Sequence, residues 1–102
     1  MGNMKGVSSQ TAQPERNFSL GRVVISIAAT EKLVPEEIAL ALSRHARRDW
    51  GDVSDSDRQE NELSLDNGYR LFSVYHGHDG TKFWIITEAD RSVTTVLLPD
   101  DY

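Results

Sequence analysis

Apolar residues between positions 35 and 50 recur at the spacing of an amphipathic helix. Pro35 suits the first turn, where a missing N–H costs nothing, and Glu36 and Glu37 follow at the positive end of the helix dipole. Gly51 is a natural stop for this helix. The positions that share one face, and are therefore expected to face a core, are Ile38, Ala41, Leu42, His45 and Ala46.

A second helix is predicted between a serine cap and a glycine stop. Ser54 precedes Asp57 by three residues, which is the spacing of an N-cap followed by an acidic residue. The pair Asn67-Gly68 tolerates the positive φ with which many helices end. Leu63 and Leu65 are the only apolar residues that this segment can bury, so the helix is expected to lie on the surface.

After Gly68 the apolar period changes from helical to alternating, which predicts strands. The first two strands, residues 69–76 and 81–87, are separated by Gly77-His78-Asp79-Gly80, a segment that suits a hairpin loop. A third strand runs from Val93 to Leu98 and stops at Pro99. Because the connections are short, these strands are expected to form an antiparallel meander.

The order of elements predicts the α+β class, with a short N-terminal strand and two helices packed on a three-stranded antiparallel meander. The β-branched run Val23–Ile27 indicates the short strand, and Thr30 could cap a single helical turn after it. Phe83 and Ile85 are expected to face the helices. Trp84 then lies on the opposite face of the sheet, where Val23–Ile27, Trp50 or a partner subunit would shield it.

Composition divides the chain into a tail and one domain. Residues 1–17 hold little that could be buried, so they are expected to be a disordered tail before a single domain at 18–102. No stretch approaches the roughly 18 apolar residues of a membrane span, and the N-terminus lacks an apolar signal segment. The chain has no cysteine, which excludes disulfides and thiolate metal sites. A cytoplasmic location is the default expectation.

Charge is concentrated in two neighbouring segments. The net charge of −5 disfavours general nucleic-acid binding. Residues 49–66 contain seven acids and the single base Arg58, and the basic cluster Arg44, His45, Arg47 and Arg48 comes directly before them. This pattern indicates either a solvated helix face or an acidic patch that meets a basic partner.

His76 and His78 lie at the tip of the predicted hairpin with Asp79 beside them. Imidazole and carboxylate groups in proximity can bind zinc or exchange protons near neutral pH. A third metal ligand would have to come from His45 or Glu88, and a polar turn explains the same residues. No metal site and no cofactor are therefore predicted.

A metal-independent ribonuclease is the enzymatic alternative. It would use His76 or His78 as general acid or base, and Lys82 or Arg91 to hold phosphate in the transition state. The same cations also serve to solubilise strand edges. Motifs of phosphate-binding loops, dinucleotide sites, zinc proteases and serine hydrolases are absent, which favours a non-enzymatic protein.

Three strings in the sequence carry a family resemblance: Asp49-Trp50-Gly51-Asp52, residues 79–91 and residues 94–99. They resemble a family of small bacterial proteins described as uncharacterised or plasmid-related, which are carried on plasmids, phages and other mobile elements. The resemblance spans roughly Leu20 to Tyr102 and implies tasks such as countering host defence, regulating the element, or acting as toxin or antitoxin. The order of helices and meander also resembles barnase/EndoU/RelE-like nucleases, in topology alone.

The sequence thus favours a mobile-element accessory protein that binds a macromolecular partner, with a host-defence component as one candidate. We expect a protein partner, no membrane contact, nucleic acid only as the substrate of the ribonuclease alternative, and a monomer or homodimer. The candidate binding residues, all within the family-like strings, are Trp50, Asp52, Trp84, Glu88, Asp90 and Arg91.

Overall fold

The computed structural model describes residues 18–102, and the predicted disordered tail at 1–17 lies outside them. In chain order the elements are β1 (Arg22–Ile25), α1 (Ile27–Lys32), α2 (Pro35–Ala46), α3 (Asp55–Asn67), β2 (Leu71–His76), β3 (Lys82–Thr87), β4 (Val93–Leu97) and a 3₁₀ turn (Pro99–Asp101). The predicted α+β class is confirmed. No helix of this described part is long and apolar enough to cross a membrane.

Local capping chemistry accounts for where the helices begin and end. Helix α3 is capped by Ser54, whose hydroxyl accepts from the N–H of Asp57 at 3.0 Å, and it ends at Gly68 with φ of 72°, both as predicted. Two other predicted helix limits are wrong: α2 ends at Ala46 rather than at Gly51, and Thr30 lies inside α1 rather than capping it. Its cap is Ser26, whose hydroxyl accepts from the N–H of Ala29 at 3.0 Å.

In the described part of the chain, four strands form one sheet in the order β1-β4-β3-β2. The pairs β2–β3 and β3–β4 are antiparallel, which confirms the meander. Strand β1 joins the sheet in parallel beside β4, with Arg22 opposite Val93 and Ile25 opposite Val96. The sequence did not indicate this pairing, because parallel partners are joined by a long crossover and leave no local turn signal.

Helices α1 and α2 pack on one face of the sheet, here called the helical face. The core on this face combines helix and strand residues: Ala29, Leu33, Ile38, Ala41, Tyr75, Phe83, Ile85 and Val96. It includes the predicted Phe83 and Ile85, which are 1% and 0% exposed. Since side chains alternate along a strand, Phe72, Trp84 and Leu97 lie on the opposite face, here called the second face.

The outer edge of β2 is closed by the chain itself. Val74 donates its N–H to the carbonyl of Trp50 at 3.1 Å, and its carbonyl accepts from the N–H of Asp52 at 2.8 Å. The side chain of Asn61 in α3 then imitates a neighbouring strand: it accepts from the N–H of Phe72 at 3.0 Å and donates to its carbonyl at 2.7 Å. This edge therefore cannot accept another strand at these positions.

Candidate functional site

Two histidines and two carboxylates meet where β2 ends and the hairpin begins. His76 at the end of β2 places Nδ1 2.8 Å from a carboxylate oxygen of Asp52, and His78 in the loop places Nδ1 2.6 Å from Glu37, in the first turn of α2. Glu37 also accepts from the backbone N–H groups of His78 and Val34. Each ring is thus oriented through Nδ1, which leaves its Nε2 as the nitrogen available for proton exchange.

The Glu37–His78 pair changes the pKa of both groups. The backbone and side-chain hydrogen bonds from His78 lower the pKa of Glu37, and the hydrogen bond to Glu37 raises the pKa of His78. The hairpin tip is in this way attached to the positive end of α2.

A cleft of about 240 Å³ opens between α2 and this hairpin. Its lining residues are Glu37, Leu40, Ala41, Arg44, Tyr75, His76, Gly77, His78 and Phe83. Arg44 is engaged there, because its guanidinium donates to Asp49 at 2.8 and 3.2 Å and lies 4.8 Å above the ring of Tyr75. Burial raises the pKa of Tyr75 to about 12, and its hydroxyl donates to the carbonyl of Asp49 at 2.5 Å.

The two cations suggested for phosphate binding lie at opposite ends of the sheet. Lys82 is exposed and stands opposite His76 in the β2–β3 register, so both side chains lie on the same face. Arg91 follows the far end of β3, and its guanidinium donates to four carbonyls: those of Ser64, Tyr69, Glu88 and Ala89, at 2.7–3.2 Å. Arg91 thereby ties α3 to the β3–β4 turn, and the structure does not bring it to the histidines.

The other acidic candidates hold local structure. Asp90 accepts from the N–H and the hydroxyl of Ser92, at 3.0 and 2.6 Å, within the β3–β4 turn. Glu88 lies 3.5 Å from Arg70. Within residues 18–102, no group of three or more His, Asp and Glu side chains is arranged to hold a metal ion.

Trp50, one of the candidate binding residues, is a core residue and only 3% exposed. Its indole N–H donates to Glu62 at 3.0 Å, and the other oxygen of Glu62 lies 2.5 Å from Arg48. Together with the backbone bonds of Trp50 and Asp52 to Val74, these contacts give the family-like string at 49–52 a structural role at the edge of the sheet.

Trp84 lies on the second face, as predicted, and is half-buried there. Its ring contacts Phe72 at 5.2 Å and Tyr102 at 5.7 Å between centroids, so aromatic contacts come from β2 and from the C-terminus rather than from residues 23–27. The Tyr102 hydroxyl accepts from Arg70 at 2.7 Å, and this guanidinium lies 6.0 Å from the Tyr102 ring. We call these four residues, Phe72, Trp84, Tyr102 and Arg70, the aromatic patch.

Helix α3 presents a strongly acidic surface beside the aromatic patch, to which Asn61 links it through the backbone of Phe72. The helix buries Asn61 and Ser64 and leaves Leu63 59% exposed. Its exposed acids are Asp55, Asp57, Glu60 and Asp66. The sequence predicted a surface helix, but it gave no sign that polar residues rather than both leucines would face the sheet.

The sequence also did not reveal a buried hydrogen-bonded network on the helical face. His45 is 0% exposed, with Nδ1 2.5 Å from the Ser73 hydroxyl and Nε2 2.9 Å from the Thr87 hydroxyl. Thr87 lies 2.7 Å from the Thr94 hydroxyl, which donates to the carbonyl of Leu20 at 2.6 Å. The apolar helix face predicted that His45 points inward, but its hydroxyl partners come from two strands, β2 and β3, and periodicity does not report them.

The network assigns one tautomer to His45. Since Thr94 donates its only hydroxyl proton to Leu20, Thr87 must donate to Thr94 and accept from Nε2–H of His45. Nδ1 is then bare and accepts from Ser73. Burial, followed by the charge of Arg91, lowers the pKa of His45 to about 3, so the ring is neutral at physiological pH.

Comparison of the chain with protein-family models, with curated proteins and with solved structures found no match.

Proposed function

We propose that this protein is a non-catalytic accessory protein that binds a basic protein partner through the aromatic patch and the acidic surface of α3. The observation that carries the proposal is the set of contacts among Trp84, Phe72, Tyr102 and Arg70 on the second face of the sheet. Phe72 and Trp84 are half-buried against the core residues Trp50, Val53, Leu71 and Val74, whereas Arg70 and Tyr102 are exposed beside them.

The patch has the residue types that dominate binding energy at protein interfaces. Tryptophan, tyrosine and arginine are enriched among hot spots, because they bury a large area and carry a polar group. Tyr102 is 71% exposed yet is held by Arg70 and Trp84, so a partner would meet a ring that is already oriented.

The acidic residues of α3 form a polar rim beside the aromatic patch. Helix α3 contains five acids and one base, and Glu62 is the acid that pairs with Arg48. A negative rim attracts a positively charged surface and accelerates its encounter with the patch. Nucleic-acid-binding proteins have such surfaces, so an acidic protein can occupy them. The resemblance to mobile-element proteins adds the hypotheses of a host-defence component as the target and of the cytoplasm as the location.

The proposal is tested by capture of a partner with matched pairs of variants. Tyr102→Ala removes the most exposed ring of the patch, whereas Tyr69→Ala removes a ring that is 62% exposed outside the patch. We expect Tyr102→Ala to weaken partner binding at least about tenfold and Tyr69→Ala to leave it unchanged. Both variants should melt close to wild type.

A second pair tests the rim. Asp57→Lys with Glu60→Lys reverses exposed charges on α3, and Glu36→Lys with Glu31→Lys reverses exposed charges on the two other helices. Only the α3 pair should reduce binding and flatten its salt dependence. A partner retained equally by Tyr102→Ala and by the α3 reversal, or the capture of no partner at low salt, would contradict the proposal.

The ribonuclease remains a second candidate, favoured by His76 and His78, which line one cleft and are each held through Nδ1 by a carboxylate. One imidazole would take the proton of a ribose 2′-hydroxyl as its oxygen attacks phosphorus. The other would give a proton to the departing 5′-oxygen, which leaves a 2′,3′-cyclic phosphate and a 5′-hydroxyl. Lys82, opposite His76, would hold the phosphate.

This candidate is tested with a fluorescent oligoribonucleotide. Cleavage should fall at least about 100-fold in His76→Ala and His78→Ala. It should also fall in Lys82→Ala, while the matched control Lys32→Ala on α1 keeps full activity. If high concentrations of the wild-type protein do not cleave the oligonucleotide, the ribonuclease candidate is rejected and the binding proposal is untouched.

A further inference from the structure

The outer edge of β1 differs from the closed outer edge of β2. In the parallel pairing with β4, Arg22 and Ser26 donate their N–H groups inward, to Ser92 and Val96, both at 2.9 Å. Alternate residues of a parallel strand bond to the same neighbour, so the N–H and C=O groups of Val23 and Ile25 point outward. Within residues 18–102, no other strand pairs with this edge.

The side chains along this edge are apolar and exposed. Val23 is 38%, Ile25 41% and Ile27 77% exposed. A groove of about 240 Å³ borders Ile25 on the helical face. Its other lining residues come from α1, α2 and their connection: Thr30, Leu33, Pro35, Ile38, Ala39 and Leu42. An exposed apolar strand edge is a template for pairing with a further strand.

We propose that the occupant is a second copy of this chain, paired antiparallel through β1 about a two-fold axis at Val24. Val23 then faces Ile25 of the other copy and exchanges both backbone hydrogen bonds with it, and Ile25 does the same with Val23. All the outward N–H and C=O groups of the two strands are satisfied by each other. The result is a continuous eight-stranded sheet, in which the β-branched side chains of positions 23 and 25 meet beside the groove.

Charge complementarity supports this register. With Val24 on the axis, Arg22 stands opposite Ser26 of the other copy. The hydroxyl of Ser26 donates to the carboxylate of Asp101 at 2.6 Å, so this carboxylate is already held beside the position that Arg22 reaches. Because side chains alternate along a strand, Arg22, Val24 and Ser26 lie on the same face. The two-fold axis repeats the contact, so the dimer contains two guanidinium–carboxylate pairs.

Sedimentation velocity of the full chain over a concentration series tests the dimer, whose mass is twice the 11.5 kDa of the chain. Val23→Pro removes an outward N–H without touching the ladder to β4, and it should raise the dimer dissociation constant at least about tenfold. Ile25→Lys should do the same, whereas the matched control Leu40→Lys, at a residue 62% exposed on α2, should leave the dimer intact.

The charge pair is tested by a swap. Arg22→Asp and Asp101→Arg should each weaken the dimer, and the double variant should recover it. Thermal melts and amide exchange show whether each variant still folds, and the amides of Val23 and Ile25 should be protected only in the dimer.

A single 11.5 kDa species at every concentration would overturn the proposal, and so would a dimer insensitive to Val23→Pro and Ile25→Lys. Protection of the Val23 and Ile25 amides in the monomer would also overturn it, since the edge would then be occupied by the chain itself. These outcomes do not depend on the partner-binding function, which is probed at Tyr102.

Discussion

On the helical face, His45 provides hydrogen bonds to buried hydroxyl groups of the sheet. Its ring joins α2 to hydroxyls of β2 and β3, and it packs edge-on against Phe18 at 5.2 Å and Trp50 at 5.6 Å. A protonated ring would have to donate from both nitrogens, although Ser73 is needed as the donor to Nδ1. The fold therefore requires the neutral imidazole.

The depressed pKa of His45 predicts that the protein loses stability in acid. The unfolded chain takes up this proton near pH ~6.5, whereas the folded chain takes it up only near about 3. The stability that comes from the neutral His45 is therefore fully present above the unfolded-state pKa and is lost as the pH falls from that value towards the folded-state pKa. In urea unfolding between pH 7 and pH 4, this residue should lower the free energy of unfolding by up to about 1.4 kcal/mol for each pH unit of acidification. His45→Gln should flatten the profile by that amount, and an equal slope in both proteins would contradict the assignment.

Neighbouring threonines on β4 provide a matched test of the same network. Thr94 is 0% exposed and links Thr87 to the carbonyl of Leu20, whereas Thr95 points to the second face and is half-buried. Thr94→Val should cost about 1–3 kcal/mol because it leaves buried polar partners unsatisfied. Thr95→Val should stay within about 0.5 kcal/mol of wild type. Denaturant midpoints measure the stability that each variant loses. Equal losses for the two variants would contradict the hydrogen-bonded network.

The two outer edges of the sheet differ in how their backbone hydrogen-bonding groups are covered. The edge of β2 is covered by the segment at 50–52 and by the side chain of Asn61, while no strand among residues 18–102 pairs with the outer edge of β1. Helix α3 is therefore more than a surface helix, because one of its polar residues completes the hydrogen bonding of a strand.

Asn61→Leu tests this role of α3. The substitution leaves the N–H and C=O of Phe72 without partners, and we expect a cost of about 2 kcal/mol together with faster exchange of the Phe72 amide. Asn67→Leu is the control, since the Asn67 side chain donates only to the carbonyl of Leu63 at the exposed end of α3. Unfolding curves and amide exchange of both variants give the answer. A stable Asn61→Leu protein with a slowly exchanging Phe72 amide would show that the edge is satisfied in another way.

For the whole molecule, the parallel pairing of β1 with β4 and the packing of α1 and α2 make the sheet dependent on the N-terminal half of the domain. Phe83, Ile85 and Val96 pack against helix residues on the helical face. A meander without a covering layer exposes that apolar face to water.

A fragment of residues 69–102, which holds the whole three-stranded meander, should therefore fail to fold alone. We expect the fragment to show poorly dispersed amide proton shifts and no cooperative thermal transition. Residues 18–102 should show well-dispersed shifts and a single transition. A fragment with well-dispersed shifts as a monomer would show that the helices are not needed for the sheet.

The sequence by itself determined the elements and their class. Pro35, Ser54 and Gly68 act within one or two turns of the chain, so these three helix ends could be predicted from neighbouring residues, whereas the end of α2 and the start of α1 could not. Alternation placed Phe83 and Ile85 on one face and Trp84 on the other. Spacing likewise brought His76 and His78 together at one turn.

Tertiary structure alone decided what these elements meet. The parallel place of β1, the carbonyls around Arg91, and the hydroxyl partners of His45 all join residues far apart in the chain. Asp52 and Glu37 reach the two histidines from separate elements in the same way. Such contacts follow from the closing of the sheet and the docking of helices, and periodicity does not encode them, because it reports only which side of an element is apolar.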